Sequence, residues 1–271
     1  MELKDLQAHA RHIRQNIIRM VYEAQSGHPG GSLSGTDILT ELYFEVMDLT
    51  AENAALPNRD RFVLSKGHAS PLLYAALAEK GILPEEQLWT FRKIDSKLQG
   101  HPNMNYVPGV DMSTGSLGQG LAAADGMALA NRLDGSEHRI YCLLGDGECE
   151  EGEVWEAAMA AAHYKSDNLC AIIDVNGLQI DGFTKDVIGP EPIADKFRAF
   201  GWHVLSCNGH DFEELRAAFA EAKRTKGCPT AIVAHTVKGK GVSFMENQAG
   251  WHGKAPNPEQ YQQAMAELEE Q

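Results

Sequence analysis

Positive charge is scarce in this 271-residue sequence: Lys plus Arg number 24 against 38 Asp plus Glu, a formal charge of −14. That balance argues against a nucleic-acid backbone or an anionic membrane as main partner. An anionic ligand would need local counterparts: backbone amides, a metal, a few Lys, Arg or His. Long apolar runs are missing as well. None reaches the roughly 18 residues that span a bilayer, and Met1-Glu2-Leu3-Lys4-Asp5 lacks the basic-then-apolar pattern of a signal peptide. The five cysteines, Cys142, Cys149, Cys170, Cys207 and Cys228, are odd in number and show no C-x-x-C spacing. Cys142 and Cys170 lie inside apolar runs, so buried thiols in a reducing, cytoplasmic compartment are expected. There is no charge block, low-complexity linker or internal repeat, and residues 1–271 read as one domain.

What is present alternates. Hydrophobic content of 43% and charged content of 23% are ordinary for a globular protein. Apolar positions Leu6, Ile13, Ile17 and Ile18 predict a helix over Leu3 to Ala24. A loop, Ser26 to Ser32, follows. Ser34 with Asp37 then resembles a capping box that opens a helix to about Met47. Arg61–Leu64 is a strand candidate, Pro71 opens a helix, and Pro84 opens another that ends near Arg92. A long loop from Lys97 leads to Gly115, and an Ala-rich helix runs to about Arg132. Further strands are expected at Ile140–Leu144, Leu169–Val175, Trp202–Ser206 and Thr230–Ala234. Helices are expected at Gly152–Tyr164, Ile193–Phe200, Asp211–Lys223 and from Pro258. This order predicts an α/β fold, a mostly parallel sheet of five or six strands with helices on both faces.

The chain is organised around Leu143 to Asp181. One apolar run ends in Gly145-Asp146-Gly147-Glu148 and the next in Asp174-Val175-Asn176-Gly177-Leu178, with a helical segment between them. Strand, helix, strand implies a right-handed crossover with both strands parallel. Asp146 and Asn176 therefore lie just past two carboxyl ends, where such sheets bind ligands. An acid and an amide there suit a hard cation carrying a phosphate. Two tight turns would explain the same fragments.

The turn Gly115-Ser116-Leu117-Gly118-Gln119-Gly120 precedes a helix, so its amides can converge on an anion, or its glycines can serve close packing. His28, His68, His101 and His252 all lie beside Gly or Pro in loops, where binding groups collect. Imidazole exchanges protons and bonds hydroxyls near neutral pH. The other seven histidines, His9, His12, His163 and His203 among them, fall in helix or strand candidates and read as structural. Zinc is a competing metal, but no ligand spacing supports it. Lys238 and Lys240, in a glycine context, can reach a diphosphate or stay solvated. Glu148, Glu150, Glu151 and Glu153 crowd a helix start, where the dipole favours acids. A partly buried Glu151 can also couple to a second chain.

With these blocks in view, the chain resembles the N-terminal part of the transketolase family. Thiamine-diphosphate enzymes share a G-D-G motif followed about 30 residues later by Asn, as in Asp146 and Asn176. The narrower likeness rests on Ser26-Gly27-His28-Pro29-Gly30, Gly67-His68-Ala69, Gly100-His101-Pro102, Thr114 to Gly120, Lys238 to Gly241 and Trp251 to Lys254. The resemblance implies the thiamine-diphosphate-binding fold, diphosphate type. It implies Mg²⁺, with Ca²⁺ able to substitute, on Asp146, Asn176 and the Leu178 carbonyl. Gly147 and Asn176 would touch the diphosphate, and His68, Lys238, Gly115, Ser116 and Leu117 would hold the cofactor. His28, His101 and His252 would line the channel of sugar phosphate substrates and act in catalysis, with His252 also near the diphosphate.

The family's pyrimidine-binding domain, with its activating glutamate, and its C-terminal domain would follow residue 271. The resemblance therefore implies a split transketolase in which a separate C-terminal subunit completes an α₂β₂ assembly. Glu151 resembles a family glutamate at the subunit interface. It also implies transfer of a two-carbon glycolaldehyde unit from a ketose phosphate to an aldose phosphate, a specialised ketose being one form of it. Two other readings compete: a subunit of a 2-oxoacid dehydrogenase, which leaves His28, His101 and His252 unexplained, and a non-catalytic binding or regulatory protein on the same scaffold.

Overall fold

In a computed structural model describing residues 1–270, seven strands form. They are β1 (Arg61–Leu64), β2 (Ile140–Gly145), β3 (Leu169–Val175), β4 (Leu178–Gln179), β5 (Gly182–Phe183), β6 (His203–Asn208) and β7 (Thr230–His235). Five of them build one sheet in the order β1-β2-β3-β7-β6, and every pairing in it is parallel. β4 and β5 form a small antiparallel hairpin directly after β3. The five-stranded parallel sheet matches the sequence expectation.

Because side chains alternate across a strand, the apolar runs feed two cores. Tyr141, Leu143, Cys170, Ile172 and Ile232 face one core, completed by the helices Leu3–Ala24 and Ser70–Glu79. Ile140, Cys142, Leu144, Ala171, Ile173 and Val233 face the other, under the helices Gln119–Leu133, Gly152–His163 and Ile193–Ala199. β3, at the centre, is buried along its length up to Val175. Cys142 and Cys170 are buried free thiols, as expected. No helix of the described residues is long and apolar enough to cross a membrane.

Three local expectations fail. Ser34 does not cap a helix: it ends the short helix Pro29–Ser34, and a second helix, Thr36–Glu41, runs into a π-turn at Leu42–Val46. Its hydroxyl donates 2.5 Å to Asp174 Oδ2, while Asp37 pairs with Arg14. Both residues of the apparent capping box are committed to tertiary bonds, which local spacing cannot show. The segment after Pro84 is a 3₁₀ turn, Glu85–Thr90, rather than an α-helix. Finally, His138 and His210 stand in loops, not in helix or strand.

Candidate active site

The parallel register sets the corner. Gly145 pairs with Asp174, so β2 delivers Asp146, and β3 delivers Asn176, to adjacent points beyond the sheet edge. Val175 pairs with His235, which brings the chain after β7, Thr236 to Lys238, to the same edge. A cavity of about 320 Å³ opens there. His68, Gly115, Leu117, Asp146, Gly147, Asn176, Leu178, Lys238 and His252 all line it. Distant parts of the sequence thus meet in one pocket.

The Asp146 carboxylate is almost fully buried and accepts backbone N–H groups from Gly147 (2.8 Å) and Gly177 (2.6 Å). Burial, then the nearby Asp174 charge, pushes its pKa up to about 6 despite those amides and the Lys238 charge. Asn176 Oδ1 accepts from Leu178 N at 3.1 Å, and Lys238 Nζ donates 3.1 Å to the Leu178 carbonyl and contacts His252 Nδ1 at 3.1 Å. Lys238 is 2% exposed, and burial first, then Lys66, lowers its pKa to about 8.

Of the four loop histidines, His68 and His252 line this cavity, and His28, outside its lining, packs against both to form a wall of three rings. Ring centroids are 5.0 Å apart for His68 and His252, 5.3 Å for His28 and His68, and 5.4 Å for His28 and His252. His101, exposed, lies 6.5 Å from His28. Burial is the main cause in each case of a lowered pKa: to about 4 for His28 and about 3 for His252, with His68 and His101 also below the ordinary value. Neighbouring positive charge adds to it, from Arg92 at His28 and His101 and from Lys238 at His252. The wall is therefore neutral imidazole at neutral pH. Nδ1 of His28 is buried and has no hydrogen-bond partner among the described residues, leaving it able to bond a ligand.

Several site members are not evident from local sequence. Lys66, just before the Gly67-His68 block, is 2% exposed; it bonds Asp174 Oδ2 at 2.5 Å and the Gly31 carbonyl at 2.8 Å. Asp174 is wholly buried and also accepts from Ser34 and Thr236. An acid inside an otherwise apolar strand is the available signal. Glu148 is not a dipole-serving surface acid: it is buried and accepts from Ser65 Oγ (2.5 Å), Gly118 N (3.0 Å) and Gly145 N (3.0 Å). So one amide of the Gly115–Gly120 turn is taken by an internal carboxylate. Gly120 serves close packing, since a Cβ there would collide with Ser65. Ser116 is exposed and outside the cavity lining, and Glu151 is exposed rather than partly buried.

The donors fit the expected groups. Asp146 is an acid without a cationic hydrogen-bond partner among the described residues, and Asn176 and Leu178, which carry neutral oxygens, line the same cavity, a hard-cation donor set. No cluster of three His, Cys, Asp or Glu among the described residues is arranged to hold a metal. Lys238 is a buried ammonium bonded to a carbonyl and an imidazole and, among the described residues, to no carboxylate, which suits an anionic ligand.

Comparison with known proteins agrees with this layout. The family described as transketolase, thiamine diphosphate binding domain, matches residues 6–268. A 6-deoxy-6-sulfo-D-fructose transketolase subunit from Clostridium sp. (strain MSTE9) is 46% identical over 267 residues, covering 98% of this chain and 97% of that relative. An apulose-4-phosphate transketolase subunit from Phocaeicola vulgatus is 43% identical over 270 residues, covering 100% and 96%. The crystal structure of transketolase from Campylobacter jejuni superposes with a TM-score of 0.92 at 38% identity, covering 99% of this chain but 43% of that one.

Proposed function

The chain belongs to the transketolase family, and from that premise we propose that it is the diphosphate-binding subunit of a split transketolase. In this reading residues 1–271 form the single thiamine-diphosphate domain, and a separate chain supplies the pyrimidine-binding and C-terminal domains. Two relatives bearing subunit names match nearly end to end, whereas the chain spans about two-fifths of the whole transketolases, 43% in one case. The observation that carries the reading is the meeting of Asp146, Asn176, Lys238, His68 and His252 in one cavity.

Asp146, Asn176 Oδ1 and the Leu178 carbonyl would hold Mg²⁺. Gly147, Lys238, His68 and the Gly115–Leu117 turn would grip the diphosphate, with Ser116 contributing its backbone. Bound there, thiamine diphosphate would supply the nucleophilic carbon and electron sink for cleaving the bond beside a ketose carbonyl. His28, His101 and His252, neutral at working pH, bond sugar oxygens and hold protons as the two-carbon unit leaves and rejoins; His28 Nδ1 is the free buried acceptor or donor.

The donor is a ketose phosphate or a specialised ketose, the acceptor an aldose phosphate. The second form is favoured by the two relatives, named for a sulfonated fructose and for apulose-4-phosphate. Ketol transfer is expected from the purified chain only after addition of a partner with the second half of the enzyme, tested over a panel of ketose donors. Robust transfer by the lone chain would overturn the split assignment.

A further inference from the structure

Lys238 sits on a loop that leaves the sheet with Thr236 N donating 3.0 Å to the Val175 carbonyl and that is fastened, among other bonds, at three places around Lys238. Gly239 N donates to the Gly30 carbonyl at 3.0 Å, and Asn247 N to the Lys238 carbonyl at 2.9 Å. The third fastening differs: Val237 N donates 2.9 Å to Nε2 of His210, a side chain from the turn after β6. Nδ1 of the same ring lies 2.7 Å from Asp37 Oδ2. Asp37 is in turn held by both guanidinium arms of Arg14, at 2.9 and 2.6 Å. The three side chains are 13% exposed or less.

These contacts fix the proton on the ring. An N–H points at Nε2, so Nε2 must offer its lone pair, and the neutral ring then carries its proton on Nδ1 and donates it to Asp37. Asp37 is suited to accept. Burial raises its pKa, but Arg14 and His210 more than offset this and hold it below the ordinary value, so it stays charged. Arg14 on the helix Leu3–Ala24 and Asp37 on the helix Thr36–Glu41 thereby aim a ring from the far edge of the sheet at the backbone next to Lys238.

We propose that His210 is a positioning residue for the cofactor site, anchoring the Val237 amide so that Lys238 is directed into the cavity. The inference rests on the diphosphate role proposed above for Lys238. It touches no ligand itself; it acts through one backbone hydrogen bond whose loss would leave a half-buried N–H without a partner.

Three measurements on the full chain, alone and with its partner, test it. Long-range ¹H–¹⁵N spectra at pH 8 should show His210 as the Nδ1–H tautomer, and the Nε2–H tautomer would refute the proposal. Amide exchange at Val237 should speed up in His210→Phe and return towards wild type in His210→Gln, which keeps a donor and an acceptor at similar spacing. Unchanged exchange in His210→Phe would also refute it. The affinity for thiamine diphosphate with Mg²⁺, read by calorimetry, should fall roughly tenfold in His210→Phe and recover in His210→Gln. A variant that loses thermal stability yet binds as wild type would assign His210 a purely structural role. If the wild-type chain with its partner bound no thiamine diphosphate, the proposed function would fall, while the tautomer and the exchange rates would still decide the anchoring.

Discussion

Two acid–lysine arrangements share one corner of the sheet and are finished to different degrees. Asp174 is enclosed: Lys66 bonds it at 2.5 Å, and Ser34 and Thr236 donate to the same carboxylate. Burial alone would raise its pKa, but Lys66 and the hydroxyls more than offset this, and it is held below the ordinary value. Asp146, one strand over, has two backbone amides and, among the described residues, no cation bonded to it, and its pKa rises to about 6. Lys238 meanwhile spends its ammonium on the neutral Leu178 carbonyl and His252. The finished pair holds the site's floor together. The unfinished one has charge to offer a ligand, and that is where function belongs.

Removing one partner of the finished pair should have the largest effect. Lys66→Met leaves a buried charge with neutral hydroxyl and amide donors and no cation, and a loss of about 3–5 kcal/mol in urea unfolding is expected. Lys66→Met with Asp174→Leu should recover part of it. If the single variant lost less than about 1 kcal/mol, the claim that this pair is structural would fail.

The same removal on the unfinished side should cost the fold little. Asp146→Asn discards an acid with no bonded cation whose pKa burial has raised, so at pH 7 stability without ligand should equal or exceed that of wild type. Mg²⁺ with thiamine diphosphate at about a hundredfold excess over the dissociation constant should stabilise wild type by about 2.7 kcal/mol, and this gain should vanish in the variant. Differential scanning calorimetry with and without ligand reads both. An undiminished gain would remove Asp146 from the metal site.

How far the sequence discloses this contrast follows from what each residue does locally. The five sheet strands are legible because each is a short apolar run between turn residues, and Asp146 and Asn176 are legible because parallel strands put them past two carboxyl ends. Asp174, Lys66 and Glu148 are not. Their partners lie 108 positions away for Lys66 and Asp174 and 83 for Ser65 and Glu148, and no local period records such pairs. Ser34 and Asp37 mislead for the same reason, since a spacing suited to a cap serves Asp174 and Arg14 instead. His210 reads as structural from sequence, and its Val237 contact becomes visible only with β6 and β7 side by side.

The histidine wall gives a smaller, pH-dependent effect. His28 and His252 have folded pKa values near 4 and 3 against an ordinary 6.5, so the unfolded chain binds more protons between these limits. Stability should therefore fall as pH drops below about 6.5, and level off above it once the rings are neutral in both states. After allowance for solvent screening of these half-buried rings, roughly 1 kcal/mol should be lost between about pH 7.5 and 5.5. His28→Gln with His252→Gln should flatten that slope in urea midpoints measured across the range. A slope unchanged in the double variant would place the pH dependence elsewhere.

The smallest effect belongs to Glu79, an acid outside the corner that is shared by two histidines instead of a lysine. Its carboxylate receives His9 at 2.6 Å and also His12, tying the first helix to Ser70–Glu79. The hydrogen bond to Glu79 raises the His12 pKa against some burial, and the two histidines lower the Glu79 pKa against its burial. A raised histidine stabilises fully below about 6.5 and loses that contribution as pH climbs through its folded value. A lowered glutamate stabilises above about 4.5 and loses it as pH falls through its folded value. The clamp is thus strongest between those limits. Because His12 is 43% exposed, Glu79→Gln should cost less than about 1 kcal/mol at pH 5.5 and close to nothing at pH 9. Equal losses at both pH values would mean that the contact acts through packing rather than through charge.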